Sequence, residues 1–374
     1  QALQDLTSGQ NSVAVGYRAL ADLTTGDYNT AVGYAALDAI TTSNYNTALG
    51  WGAGGSTANT TGAQNTFIGG EAGNQIINKN DHTFVGYRAG ATNRAGYGST
   101  IIGSQAGYAP SGATYSGSYN LFAGYGAGFR TGGDKSTLLG ASAGYYTTGS
   151  YNTFVGMSAG QGGTTGAPYS WGENNVAMGF EALKAFTTGT RNIAIGSQAA
   201  YRLTSGNYNV AIGDTSLAGV VTGAHNVVLG YYAGGQISSG EDNISLGRNS
   251  LAYSTTANDN IAIGQYASHR TGQYIAATNT IAIGKFSGYF NQGSYNVFMG
   301  YYAGYGSSAG ANSPGVNNVG IGSSALQSFR SGSQNTAVGR HALLSNIDGS
   351  DNTAIGQQAG AYTTGSYNTF VGSE

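Results

Sequence analysis

A five-residue pattern recurs twenty-one times along the chain: a polar residue, usually Asn, then Thr or an aliphatic, a small or apolar residue, an aliphatic, and Gly. Asn29-Thr30-Ala31-Val32-Gly33, Asn192-Ile193-Ala194-Ile195-Gly196 and Asn352-Thr353-Ala354-Ile355-Gly356 are examples. Of the twenty intervals between closing glycines, eleven are 17 residues and four are 16. A unit that short cannot bury an apolar face alone. It must stack on its neighbours, so the chain is read as a repeat array. Specific function is then written where the repeat is broken.

Numbered from the closing glycine, positions −4 to −1 alternate with period two and carry β-branched residues, which reads as a short strand. Position −1 is Val, Ile, Leu or Met in every unit but one, Ala123, and is expected to face the interior. Position +3 is Ala or Ser throughout (Ala19, Ala36, Ala53, Ala72), small enough for two backbones to approach. Position +7 is often Leu, Ile, Phe or Val, and Thr-Thr-Gly or Thr-Ser-Gly turns follow, as at Thr24–Gly26 and Thr204–Gly206. Ala-Leu units such as 18–23 also fit one helical turn. Other units have Ala-Gly there, as at Ala89-Gly90, and interior glycine costs a helix about 1 kcal/mol relative to alanine.

The expected fold is therefore all-β: a repetitive parallel β-solenoid, or β-roll, of about 21 coils, mostly 16–17 residues each. Stacked at about 4.8 Å, such coils would make a rod on the order of 100 Å long. The unbroken period predicts one continuous array over 1–374. Gln1-Ala2-Leu3 aligns with Ala35-Ala36-Leu37, and the last motif closes at Gly372, so the array is expected to be cut inside a repeat at both ends, as a slice of a longer protein. So thin a coil has a small core, and side-by-side association of copies, most simply three, would supply the missing apolar contact.

Asn holds position −4 in 16 of 21 units, the exceptions being Ser12, His82, Ser99, Ser136 and Thr280. Asn29, Asn46, Asn65, Asn192, Asn209 and Asn352 are read as members of a structural ladder that satisfies turn backbone. Tyrosine, 28 residues in all, favours positions +1 and −5, which stacking turns into columns. These serve packing, or present a surface to sugar rings. Four expanded units, closing at Gly124, Gly179, Gly284 and Gly322, are 20–23 residues long and contain all three prolines. Insertions in a solenoid become loops at one corner, where binding often sits. Tyr115, Tyr169 and Trp171 are the candidate contacts for a ligand or a neighbouring chain.

Units such as Asn11-Ser12-Val13-Ala14-Val15-Gly16, followed by alanine at +3, resemble the head repeats of YadA-like trimeric autotransporter adhesins. Similar runs occur in phage tail-fibre proteins. The resemblance spans the whole chain and rests on a motif of five or six residues. It implies a left-handed roll, a side-by-side homotrimer, and an extracellular, cell-surface or virion-tail location. Two departures stand against it: the 17-residue coil is a few residues longer, and the Thr-Thr-Gly-x-Tyr-Asn turn (147–152, 363–368) is added.

Other chemistries find little support. Charged residues are 8% of the chain, the net charge is −2, and no basic stripe exists to hold nucleic acid. No apolar run approaches the roughly 20 residues of a membrane span. Cysteine is absent, and the four histidines fall at different phases of the coil, so neither a metal ladder nor any cofactor is expected. Glu241-Asp242 is one isolated carboxylate pair, where a polysaccharide-cutting β-helix enzyme needs a cluster. An ice-binding face would need unbroken regularity. The expected function is non-enzymatic: a fibre segment of an adhesin or tail fibre that partners itself and, through its loops, a cell-surface glycan or receptor. The alternative is a surface protein forming filaments end to end.

Overall fold

The computed structural model describes residues 1–55, 62–76, 78–92, 96–110, 117–163, 170–269, 277–306 and 313–373. The chain forms two compact units, Gln1–Arg191 and Asn192–Glu374. Each is a parallel β-solenoid, and the described residues contain no helix. Every repeat supplies one three-residue strand. Ten lie in the first unit, Val13–Val15 to Val176–Met178, and eleven in the second, Ile193–Ile195 to Thr369–Val371.

Within each unit, neighbouring strands pair in parallel and in matched register. In the first, Thr30, Ala31 and Val32 face Thr47, Ala48 and Leu49. Expanded coils keep the same register: Thr153 pairs with Val176 in the first unit, and Val297 with Val319 in the second. The strand stack is therefore not shifted across the expansions. In the second unit a smaller parallel pair, Arg202–Leu203 with Val220–Val221, adds a second short sheet.

The strands alternate as expected, but with opposite phase. Position −2 is buried and position −1 is not: Ala31 and Ala48 are inside, while Val15, Leu49 and Ile102 are exposed. The interior of so thin a coil has room for Ala, or for one Phe, but not for a full aliphatic column. Parity then places −4 and −2 inside and −3 and −1 outside. The remaining core comes from the small residues at +3 (Ala19, Ala36, Ser250, Ser287), from Leu at +4, and from +7 residues such as Leu23, Phe186 and Phe329, all of which are buried.

The Ala-Leu segment forms no helical turn. Two of its residues sit at positive φ, Arg18 at 59° and Leu20 at 51°, and their equivalents Ala35 and Leu37 repeat this in the next coil; Tyr28, at −5, is a third such position with φ of 57°. Left-handed non-glycine residues cost about 1–2 kcal/mol each. Inter-coil hydrogen bonds between consecutive coils offset that cost. Leu20 N–H donates to Ala36 O (3.0 Å), Asp22 to Asp38 (3.0 Å), Thr24 to Thr41 (2.8 Å) and Ala35 to Tyr17 (2.9 Å). The backbone is thus laddered at the corners as well as in the strands.

Glycine holds every closing position, and at Gly26 it makes room for a neighbouring carbonyl, although Ser43, Lys79, Ala257 and Ala277 stand at the equivalent of Gly26 in other coils. The closing glycine has φ near +130° (Gly33, +139°), and a Cβ there would lie 2.5 Å from the next closing glycine's oxygen. At −7, a Cβ on Gly26 would overlap the Ser43 carbonyl.

Candidate functional site

The inverted strand phase produces the most prominent surface feature. In the second unit, eight successive strands from Ile193–Ile195 to Val319–Ile321 carry an aliphatic at both outward positions. Position −3 contributes Ile193, Val210, Val227, Ile244, Ile261, Ile281, Val297 and Val319, and the partners at −1 are Ile, Leu or Met. These side chains are half-buried to exposed, with Ile193 at 37% and Met299 at 39%. At about 4.8 Å per strand and about 10 Å across, the stripe covers about 400 Å². That is the size at which an exposed apolar patch on a soluble protein marks an interaction surface. The equivalent face of the first unit is mixed, with Thr at −3 in seven of its ten strands and aliphatics at −1 except for Ala123.

Behind this face runs the asparagine column. In the first unit, Asn46 Oδ1 accepts from the backbone N–H (3.1 Å) and the amide (3.0 Å) of Asn65. Its own amide donates to Asn29 Oδ1 (3.2 Å) and Gly62 O (3.0 Å). In the second, Asn209 donates to Asn192 Oδ1 (3.2 Å) and Gly223 O (3.0 Å) and accepts twice from Asn226. The amide of Asn352 likewise donates to Asn335 Oδ1 (3.1 Å) and Gly365 O (2.8 Å). Each amide therefore serves three coils.

His82 takes an asparagine's place with matched reach. Its Nδ1 accepts from Ser99 N–H (3.3 Å), and Nε2 faces Gly96 O at 3.0 Å, which calls for the Nε2–H tautomer. Burial holds its pKa down at about 4, the bond to Gly96 only partly opposing it.

A second ladder, not anticipated from sequence, runs at −6. Asp27 N–H donates to Asn44 Oδ1 (2.7 Å), Ser118 N–H to Asp134 Oδ1 (2.7 Å), and in the second unit Glu241 N–H to Asn258 Oδ1 (2.8 Å). Asp, Asn, Ser and Thr all serve there, so no single residue type advertises the position.

The aromatic columns stack ring on ring. Tyr28 and Tyr45 are 5.1 Å apart at 2°, and Tyr17 and Tyr34 are 5.5 Å apart at 25°. In the second unit, Tyr266, Phe286 and Tyr302 form one stack, and His269, Tyr289 and Tyr305 another. Burial there holds the His269 pKa down at about 4 and pushes the Tyr289 and Tyr305 hydroxyls up. Stacked rings cover one another's faces and turn their edges outward, which suits packing better than a platform for sugar rings.

Of the loop candidates, Tyr115 and Tyr169 lie outside the described residues. Trp171 is 61% exposed, and its backbone N–H donates to Thr187 O at 2.9 Å. The adjoining expansion is pinched at its base by Ser170, which is fully buried. Its hydroxyl accepts from Gly163 N–H (3.0 Å) and donates to Phe186 O. Ser313 repeats the device in the second unit, donating to Phe329 O at 3.1 Å.

No group of three or more His, Cys, Asp or Glu side chains placed to hold a metal occurs among the described residues, and no helix long and apolar enough to cross a membrane is found among them. The fold and its ladders define a parallel β-solenoid repeat protein. No protein-family model matches the chain, and comparison with curated proteins finds no significant match.

Proposed function

We propose that this chain is a non-enzymatic structural fibre segment of an extracellular adhesin or phage-type tail fibre, which works as a stiff shaft assembled side by side with copies of itself. The observation that carries the reading is the uncharged aliphatic stripe of Ile193–Ile321. A flat array of sixteen Ile, Val, Leu and Met side chains gains most by meeting an equally flat, equally spaced surface, and a second copy of the same face has that spacing by construction. Inter-coil hydrogen bonds at strands, corners and the −4 column supply stiffness. The homotrimer suggested by the adhesin resemblance is one way of closing such faces around an axis.

The test is the solution mass by light scattering, for the native chain and for Ile212→Glu/Ile263→Glu. A discrete oligomer that the paired substitution converts to folded monomer is the expected result. A monomeric native chain would overturn the reading. Open filaments insensitive to the substitution would favour end-to-end assembly.

A further inference from the structure

In the first unit, one coil is hollowed at a corner. It opens Trp51-Gly52-Ala53-Gly54-Gly55, and among the coils it alone has glycine at both +2 and +5. The missing side chains leave a surface notch of about 200 Å³ lined by Tyr34, Ala35, Asp38, Trp51, Gly52, Gly55 and Asn74. The two glycines leave the space, which is bordered by the Tyr34 and Trp51 side chains and by Asp38 and Asn74, the +5 residues of the flanking coils.

The rings and polar groups are arranged differently here from elsewhere in the chain. Trp51 is 53% exposed and stacks on no ring among the described residues. The next +1 residue is Gly70, where a Cβ would lie 3.5 Å from the Tyr87 ring and 3.9 Å from the indole, so the coil that follows brings no +1 side chain of its own onto Trp51. Asp38 Oδ1 lies 3.2 Å from where a Gly55 Cβ would stand, so this carboxylate oxygen borders the space that Gly55 leaves. The Asn74 amide donates to Gly52 O (3.2 Å), which leaves its Oδ1 as an acceptor. Asp38 is ion-paired to Arg18 at 3.4 Å, so the acceptors sit in a site of little net charge.

We propose that this notch is a binding subsite for one neutral hexopyranose unit of a glycan. A pyranose offers an apolar C–H face to the exposed indole, and hydroxyl donors to a carboxylate and an amide oxygen. The volume suits a single ring and is too small for a drug-sized ligand. The paired charge of Asp38 disfavours an organic cation, which would have to compete with Arg18. The notch is built within one chain, so the inference holds whether or not copies assemble.

The chain has two tryptophans, so Trp171→Phe leaves Trp51 as the only indole reporter. In that background, Trp51 fluorescence is titrated with glucose, galactose, mannose, N-acetylglucosamine and their short oligomers, and separately with tetramethylammonium chloride. At least one saccharide is expected to give a saturable change at millimolar concentration, and tetramethylammonium none. Asn74→Leu, which fills the notch from a flanking coil, is expected to weaken binding about tenfold or more, with circular dichroism unchanged. Silence with every saccharide, a saturable response to tetramethylammonium alone, or saccharide binding that survives Asn74→Leu would each overturn the proposal.

Discussion

Phe122 and Gly128 occupy one volume: a Cβ on Gly128 would lie 2.6 Å from the Phe122 ring. The same exchange of size runs through both units. All five complete coils with Phe at −2 have Gly at +4 (Phe67/Gly73, Phe84/Gly90, Phe122/Gly128, Phe154/Gly160, Phe298/Gly304). Each coil with Leu at +4 has Ala, Ser or Gly at −2, as in Ala31/Leu37, Ser245/Leu251 and Gly320/Leu326. No coil carries a large side chain at both positions, and where both are small, as in Ala48/Gly54 and Ala354/Gly360, side chains of the neighbouring coils (Leu37 and Phe67, Leu343 and Phe370) reach the space.

That relationship sets the first expectation. Phe122→Ala alone opens a cavity and should cost about 3–5 kcal/mol. Gly128→Leu alone should overpack the coil. The double substitution converts this coil to the Ala/Leu type and should be more stable than either single variant, with a favourable coupling of at least about 1 kcal/mol. Denaturant unfolding of the four proteins measures the cycle, and additive losses would mean that the two positions do not share the space.

The asparagine column should tolerate serine better than leucine. Asn209→Leu removes an acceptor for Asn226 N–H and a donor for Gly223 O, both buried, at about 1–3 kcal/mol per orphaned group. Asn209→Ser keeps the acceptor, as Ser136 does when it accepts from Asn152 N–H at 3.2 Å, and should lose about half as much. Thermal unfolding of the two variants provides the comparison.

Much of the architecture was legible in the sequence. The period and the phase of Gly33, Gly50 and their equivalents imposed stacking, and the two-residue alternation imposed strands. The inside of the strand was not legible, because hydrophobicity points to Val32 while the available volume selects Ala31. The size exchange between −2 and +4 was written in the residues, but it becomes visible only once the fold shows that those positions touch. The −6 ladder was hidden because Asp27, Asn44, Asp134 and Ser150 share an acceptor and no other property. The notch was hidden because Gly52 and Gly55 look like ordinary variation in a glycine-rich repeat and leave the 17-residue spacing of the neighbouring coils nearly intact.

Acid should weaken the fold through its buried histidines. His82 has a folded pKa near 4, below its ordinary 6.5, and it is fully buried. The unfolded chain therefore binds more protons between those values. The neutral ring's contribution is complete above about pH 6.5 and is lost as pH falls toward 4, amounting to about 3 kcal/mol. Asp81 and Lys79 act on it in opposite directions and are minor beside burial. His82→Asn restores the ladder's usual residue and should remove this part of the pH dependence, leaving that of His269, which is also depressed to about 4. Unfolding midpoints at several pH values between 4 and 7 read both, and an unchanged slope in His82→Asn would contradict the assignment.

Two neighbouring backbone sites in the first unit should respond very differently, although both lie at positive φ. Gly156 has φ +131°, and a Cβ there would lie 2.5 Å from Gly179 O, so Gly156→Ala meets both a conformation closed to side chains and a fixed carbonyl. Its cost should be about 3 kcal/mol or more. Ser158, two residues on, sits at φ +56° with its N–H bonded to Ala141 O at 2.9 Å. Ser158→Gly relieves left-handed strain of about 1 kcal/mol and adds unfolded-state entropy of similar size, so its net effect should be near zero. A large loss at Ser158→Gly in thermal unfolding would show that the left-handed corner depends on its side chains. A small one would show that the inter-coil hydrogen bonds hold that corner, and that strict glycine is required only where two backbones meet.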